Sequence, residues 1–510
     1  MRVADALVRL ARWSLGTVAA LLGIIVAVAG LGQRAPQPPP VASGSWATPE
    51  ELGDFIAQRS ADLRLAGLAV VVVRDGDVYE ESYLGTAGGG RPVTADTPFV
   101  LGSTSKQFTG LAVQRLIADG RLALDTTVAE VLPDVEADGD VGHMSVRQLL
   151  THTSGLTTTT GLEQWGWMPG RSPSIADNAH ALTSAAAGAQ GSYEYSNSNY
   201  DLLGAIVEEV TAQPFAAAVE ELVLGPLRLA QTTAGPDSAT LDDVAVGYHS
   251  WLEVVTVPTP CPCTPGAVPS AFMVSTAADL TQLLRAHMGS VPTELPDEVL
   301  ATAREPLTTI DPYSQYGSGW VVRPLWEQLV SVGDPVDGAD LPSCVEHLGS
   351  TYRSQSYLMA CPSLGFGIAA LTNTGAGIDT TRWSRFQTDL THLALGTPTP
   401  APGFNPVESN APVIIPGLLL AQALSLLPLT AARSGTWRVA LALGGAIVGP
   451  VLWWGYAPTR LGPRLPVASL WAQAPELGIA TLVSTALALV AAALATTWAA
   501  SRRHGPARRN

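Results

Sequence analysis

Apolar and polar positions follow two different periods along the chain. From Pro49 to Leu63 the spacing suits one face of a helix, and "LAVVVVRDGDVYEESYL" then gives two strand-like runs meeting at Asp75-Gly76. Asp-Gly between apolar, β-branched runs predicts a hairpin. From Ser103 onward Phe108, Leu111, Ala112, Leu116 and Ile117 recur at helical spacing, and Gly120 ends the run. Strand-like runs return only late, at Tyr316–Val322, Cys344–Gly349, Ser356–Cys361 and Gly365–Asn373. A last helix over Thr380–Leu395 places Trp383, Phe386, Leu390 and Leu393 on one face and stops at Gly396. The middle, about 103–300, reads as helix and loop. An early hairpin and late strands joining one sheet, with a helical insertion between them, predict an α+β domain.

Longer apolar runs lie at both ends. Trp13–Gly32, behind Arg2, Arg9 and Arg12, is long enough to cross a bilayer. It reads as a retained anchor or, through Ala27-Val28-Ala29, as a cleaved signal peptide; either exports the chain beyond it. Three further runs, about Ala411–Thr430, Trp437–Tyr456 and Leu477–Ala500, predict transmembrane helices within 411–500. Arginines flanking these runs place both termini inside and residues 33–410 outside, with Arg460 and Arg464 a mild exception. That is a multi-pass cell-membrane protein with an extracytoplasmic domain. No run carries an ionisable residue at its middle, which favours anchoring over an ion path. Pro-rich segments at 33–49 and 396–410 read as spacers around a folded domain at 50–395.

Charge sharpens this division. Between residues 45 and 400 there are 41 acidic residues against 15 Arg and one Lys; the remainder holds 3 acidic residues and 12 Arg. An acidic body with basic ends has no stripe to replace counterions on phosphates, so nucleic acid is excluded as a partner and a membrane is implied. All four cysteines, Cys261, Cys263, Cys344 and Cys361, fall in the exported part. A Cys344–Cys361 bridge would join two neighbouring strands, while Cys261 and Cys263 pair with each other or with the distal two. "CPC" lacks a second ligand pair at zinc spacing, so neither metal nor other cofactor is expected.

The single lysine, Lys106 in "LGSTSKQFTG", stands out in a chain that otherwise uses arginine for permanent charge. Ser103 sits at or beside the predicted helix N-terminus, where unpaired N–H groups favour an alkoxide, and Lys106 comes one turn later. A serine hydroxyl needs a base, and a partly buried lysine can lose its proton where arginine cannot. Further motifs occur in order: "LLTHTSGL" (Leu149–Leu156), "YEYSNSNYDLLG" (Tyr193–Gly204), "STAADL" (Ser275–Leu280), "YGSGW" and "HLGST" (His347–Thr351).

With these motifs the chain resembles the serine β-lactamase and D-alanyl-D-alanine peptidase superfamily, in its class C-like branch, over about residues 50–395. The resemblance implies a β-lactamase/transpeptidase-like antiparallel sheet flanked by helices, with a helical subdomain. It implies Ser103 as acylated nucleophile, Lys106 as its Ser-x-x-Lys neighbour, and Tyr195 as general base or proton shuttle, in the field of Lys106 and a protonated His347. Asn197 would hold the ammonium and substrate amide, His347 and Gly349 would belong to the third motif, and the N–H groups of Ser103 and Ser350 would form the oxyanion hole. Two departures stand out. Many β-lactamases and carboxypeptidases of the superfamily carry lysine where this chain has His347, which weakens the grip on a substrate carboxylate. Tyr352-Arg353 replaces small residues, either narrowing the cleft or offering a guanidinium to an anionic group. His152 and Ser154 read as a packed loop rather than triad members. The expected activity is serine hydrolysis of small-molecule or peptide substrates, either D-amino-acid peptides of cell-wall type or small esters. The alternatives are a β-lactamase and a non-turnover sensor of wall fragments or penicillins.

Overall fold

The structure, a computed structural model, describes residues 46–135, 140–164, 173–183, 188–235, 243–259, 263–324, 343–375, 377, 381–396, 411–425 and 475–503. The chain divides into two units, Pro38–Gly403 and a second formed by Met1–Gln37 with Phe404–Asn510.

The first unit opens with α1 (Pro49–Asp62), where Thr48 and Glu51 form a capping box and proline occupies the first turn. It leads into β1 (Gly67–Arg74) and β2 (Asp77–Gly88), paired antiparallel with Arg74 opposite Asp77. Asp75 (φ 52°) and Gly76 (φ 84°) take the left-handed conformations that a tight hairpin turn requires. A nine-stranded sheet contains both, together with β3 (Arg91–Pro92), β4 (Thr308–Thr309), β5 (Gln315–Tyr316), β6 (Val321–Pro324), β7 (Ser343–Ser350), β8 (Gln355–Cys361) and β9 (Phe366–Thr372). The order is β3-β2-β1-β9-β8-β7-β6-β5-β4, so the early hairpin docks against the last strand. β1 is buried along nearly all of its length, which accounts for its unbroken apolar run.

The expected strand over Tyr316–Val322 is instead two, β5 and β6. Between them Gly317 packs on the carbonyls of Ala303 and Glu305, and Gly319 (φ 84°) packs on the Lys106 carbonyl. The segment leaves the ladder to touch the helical body, and a β-carbon at either glycine would prevent the approach. In the middle region the structure adds a hairpin, Tyr248–Trp251 with Val255–Pro258, that the helix-and-loop expectation lacks.

One sheet face packs on α1 and on α5 (Thr381–Ala394), burying Leu52, Phe55, Ile56, Val70, Met359, Ile368, Trp383, Phe386 and Leu390 together. Each such side chain contributes roughly 1.5–3 kcal/mol of burial. The other face meets α4 (Ala277–His287), with Gly367 lying against Leu284 and Met288. Beyond it stand α2 (Ser105–Ala118) and α3 (Asn197–Thr211). Cys344 and Cys361 are joined where β7 and β8 begin and end; Cys263 is also disulfide-bonded, and Cys261 lies outside the described residues.

In the second unit α6 (Ala411–Ser425) contains Pro416, and α7 (Pro475–Arg503) receives a hydrogen bond from Gln422 Nε2 at the Ser484 carbonyl (2.9 Å). Among the described residues one helix, over Pro475–Leu494, is long and apolar enough to cross a membrane. α6 is too short for that as described, so among the described residues the several spans expected within 411–500 are not shown. The runs Trp13–Gly32 and Trp437–Tyr456 lie outside the described residues.

Candidate active site

Ser103 stands on a 3₁₀ turn, Gly102–Thr104, immediately before α2 rather than within it. The turn is clamped to the sheet. Gly102 (φ 61°) lies against the Ser350 amide nitrogen, and Gly349 lies against Leu101 O, Thr104 Oγ1 and Ser356 Oγ. No side chain fits at either position, and the backbone of β7 therefore passes directly beside Ser103. Ser103 is half-buried and Ser350 is exposed, leaving this gap open to solvent.

Lys106 is fully buried. Its Nζ lies 2.7 Å from Asn197 Oδ1, 2.7 Å from the Ser270 carbonyl and 3.2 Å from Ser103 Oγ. Burial pulls the ammonium below its usual range, against the pull of the Asp201 carboxylate. The Ser270 carbonyl is presented by a single π-helical turn, Val268–Phe272. Asn197 is the first residue of α3.

The Tyr195 ring lies 4.9 Å below the Lys106 nitrogen, and its hydroxyl is buried with no hydrogen-bond partner among the described residues. Burial pushes the phenol well above its usual value, and the neighbouring Ser103 hydroxyl only partly opposes this. The expectation that adjacent cations would make Tyr195 an acidic phenol is thus corrected, since desolvation outweighs their field.

His347 is also corrected. Its Nδ1 lies 2.7 Å from the Leu348 carbonyl, which can only accept, so Nδ1 carries the proton. Nε2 lies 3.1 Å from the Tyr316 hydroxyl and accepts from it. Burial, then the Lys106 charge, push the imidazole down to about 3. His347 is neutral, with both ring nitrogens occupied, and not the protonated imidazole expected to act on Tyr195.

His152 does not reach Ser103. Its Nδ1 takes the Ser196 amide (3.2 Å), its ring lies tilted 4.4 Å from that of Tyr195, and Ser154 donates to Asn199 Oδ1 (2.6 Å). Arg353 is turned into the protein, buried against Gly247, with Nη1 donating to the Tyr352 carbonyl (2.7 Å), so it offers no open anion site. No cluster of three or more metal-ligating side chains occurs among the described residues.

The Beta-lactamase family model matches residues 52–386. The chain belongs to the beta-lactamase family. It is 32% identical over 357 residues to esterase EstB of Burkholderia gladioli, covering 62% of this chain and 88% of the esterase. It is 30% identical over 354 residues to penicillin-binding protein 4 of Amycolatopsis lactamdurans, covering 65% and 85%. A class C beta-lactamase structure from Rhodobacter sphaeroides superposes with a TM-score of 0.56 at 24% identity, over 67% of this chain and 99% of that one. This beta-lactamase-family protein is a serine hydrolase.

Three groups at the site escaped the sequence reading. Tyr316 was visible in "YGSGW" but not as the partner of His347. Ser270 had no signal, because a carbonyl contact carries none. Asp201 had a faint one: it lies four residues after Asn197 and so shares its helix face.

Proposed function

We propose that this protein is a membrane-anchored, extracytoplasmic hydrolase of small, uncharged esters that works through an acyl-enzyme at Ser103. The observation that carries this reading is the set of contacts at Lys106. As a neutral amine it has two N–H bonds and one lone pair; Asn197 Oδ1 and the Ser270 carbonyl, each at 2.7 Å, take the two N–H bonds. The lone pair is left for the Ser103 hydroxyl at 3.2 Å. The Ser103 proton passes to Lys106 as Oγ bonds to the ester carbonyl carbon. The N–H groups of Ser103 and Ser350, brought together by Gly102, hold the resulting oxyanion. The C–O bond to the alcohol then breaks, and the proton reaches the leaving oxygen from Lys106 by way of the Tyr195 hydroxyl. Water repeats the cycle on the acyl-enzyme, with Asn197 holding the lysine throughout.

Uncharged substrates are favoured because the third-motif residue is neutral. His347 spends Nδ1–H on Leu348 and its lone pair on Tyr316, so it has nothing to offer a carboxylate. The likeness to an esterase points the same way. Basic flanks, the N-terminal apolar run and the Pro475–Leu494 helix support anchoring, with 50–395 as the exported domain and 33–49 and 396–410 as its spacers.

The test is intact mass of the full-length protein after exposure to a fluorophosphonate and, separately, a penicillin, with 4-nitrophenyl butyrate hydrolysis measured in parallel. A fluorophosphonate adduct and ester turnover, both absent in Ser103→Ala, are expected. Turnover that survives in Ser103→Ala overturns the mechanism. A persistent penicillin adduct without ester turnover replaces the reading with a penicillin-binding one.

A further inference from the structure

Asp201 is a second buried ionisable group in the core of the site, and no motif assigns it a task. It lies on α3 one helical turn after Asn197, the residue whose Oδ1 accepts from Lys106. Its side chain is fully buried, and the Ser270 hydroxyl is its one hydrogen-bonding neighbour among the described residues. The carbonyl of that same Ser270 holds Lys106. An acid taken out of water with one hydroxyl to bond is still costly unless a charge compensates it. The chain's only lysine supplies that charge when it is protonated.

We propose that Asp201 is the buried counter-charge of Lys106, a positioning residue that stabilises the lysine as it takes the Ser103 proton. This rests on the reading of Ser103 and Lys106 as nucleophile and base. When the Ser103 O–H bond breaks and the proton joins Lys106, an ammonium appears in a cavity whose other contacts are neutral oxygens. Asn197 and Ser270 can accept from it, but only Asp201 brings opposite charge. As the proton leaves for the alcohol, the pair returns to its starting state, and Asp201 exchanges no atom with the substrate.

The titratable groups facing Lys106 come from several elements. Asp201 and Tyr200 lie on α3, Tyr195 just before it, His152 after the helix Val146–Leu150, and His347 on β7. Burial keeps both histidines neutral and both phenols protonated near neutrality, which leaves Asp201, among the described residues, as the acid acting on the lysine. Burial lowers Lys106 and raises Asp201, and each opposes the other's shift. Removing the acid leaves burial unopposed, so the lysine falls further.

One lysine in the whole chain makes this directly measurable, because lysine labelled with ¹⁵N at Nζ gives a single side-chain resonance. Full-length wild type, Asp201→Asn and Asp201→Ser are titrated by this signal, and kcat/KM for 4-nitrophenyl butyrate is measured across the same pH range. In both variants the Lys106 midpoint is expected to fall by about one to three pH units, the range for loss of a nearby opposite charge, and the acid limb of kcat/KM moves with it. The plateau drops about tenfold or more because a weaker base remains. A Lys106 midpoint unchanged in whichever variant folds overturns the proposal. So does a fall in rate at every pH with an unmoved acid limb, which is the mark of a packing role. Fluorophosphonate labelling of wild-type Ser103 separates the two ideas: without it the hydrolase reading fails, while the lysine titration still reports the Asp201 coupling.

Discussion

Lys106→Arg isolates what the single lysine supplies. Arginine keeps a positive charge beside Ser103 but stays protonated in proteins, so it can no longer act as a base. Ester kcat/KM is expected to fall about 10²–10⁴-fold, the usual worth of a positioned base, and steady-state kinetics on the two proteins check it. His347 makes a different prediction, about stability. Its folded value of about 3 lies below the value near 6.5 in the unfolded chain, so between those limits the unfolded state binds a proton that the folded state does not. Stability from the neutral imidazole is present in full above about pH 6.5 and is lost as pH falls. Denaturant unfolding at pH 7 and 5.5 should show wild type losing about 1 kcal/mol more than His347→Gln over that interval. At this scale the sequence displayed Ser103, Lys106 and Asn197, because residue type and spacing carry their chemistry. It hid the neutrality of His347, which depends on burial and on Lys106, and it hid Asp201, whose field reaches Lys106 only when α3 lies against α2.

The element that most constrains the cleft is β7, which carries His347, Gly349 and Ser350 and is tied to β8 by the Cys344–Cys361 bridge. The two cysteines are 17 residues apart, and closing a loop of that size stabilises a fold by about 3 kcal/mol. Replacing both with serine is expected to lower unfolding stability by about that amount, read by denaturant titration. The clamp at Gly102 and Gly349 then has a looser strand to hold, so ester turnover falls as well. Legibility at this scale tracked periodicity. The hairpin at Asp75-Gly76, the strands β7, β8 and β9, and helix α5 were readable because each buries a regular face. The break between β5 and β6 was not, since Gly317 serves an approach to Ala303 and Glu305, and Gly319 one to α2, that local pattern does not encode. The Tyr248–Trp251 hairpin was missed for a related reason: its second strand carries exposed Val255 and Val257, so no buried face marks it.

At the scale of the whole molecule, charge and apolar runs act together. The N-terminal run and the Pro475–Leu494 helix predict that the full-length protein stays with membranes through an alkaline carbonate wash and is released by detergent; recovery in the carbonate supernatant would count against anchoring. Residues 45–400 hold 41 acidic groups against 16 basic ones, so this part of the chain repels anions before any contact with the cleft. Inside it, neutral His347 and inward-turned Arg353 provide no local cation to reverse that repulsion. Salt screens such long-range fields, with a Debye length of about 30 Å at 0.01 M and about 8 Å at 0.15 M. A matched pair of esters, one neutral and one carrying a carboxylate on its leaving group, should therefore respond differently to ionic strength. Between those salt concentrations kcat/KM for the anionic ester is expected to rise several-fold while the neutral ester stays level, as measured by initial rates at low substrate. An anionic ester that is slow at every salt concentration would place the discrimination in the His347 contact, and one that slows as salt is added would reveal an attracting cation at the cleft and overturn the repulsion.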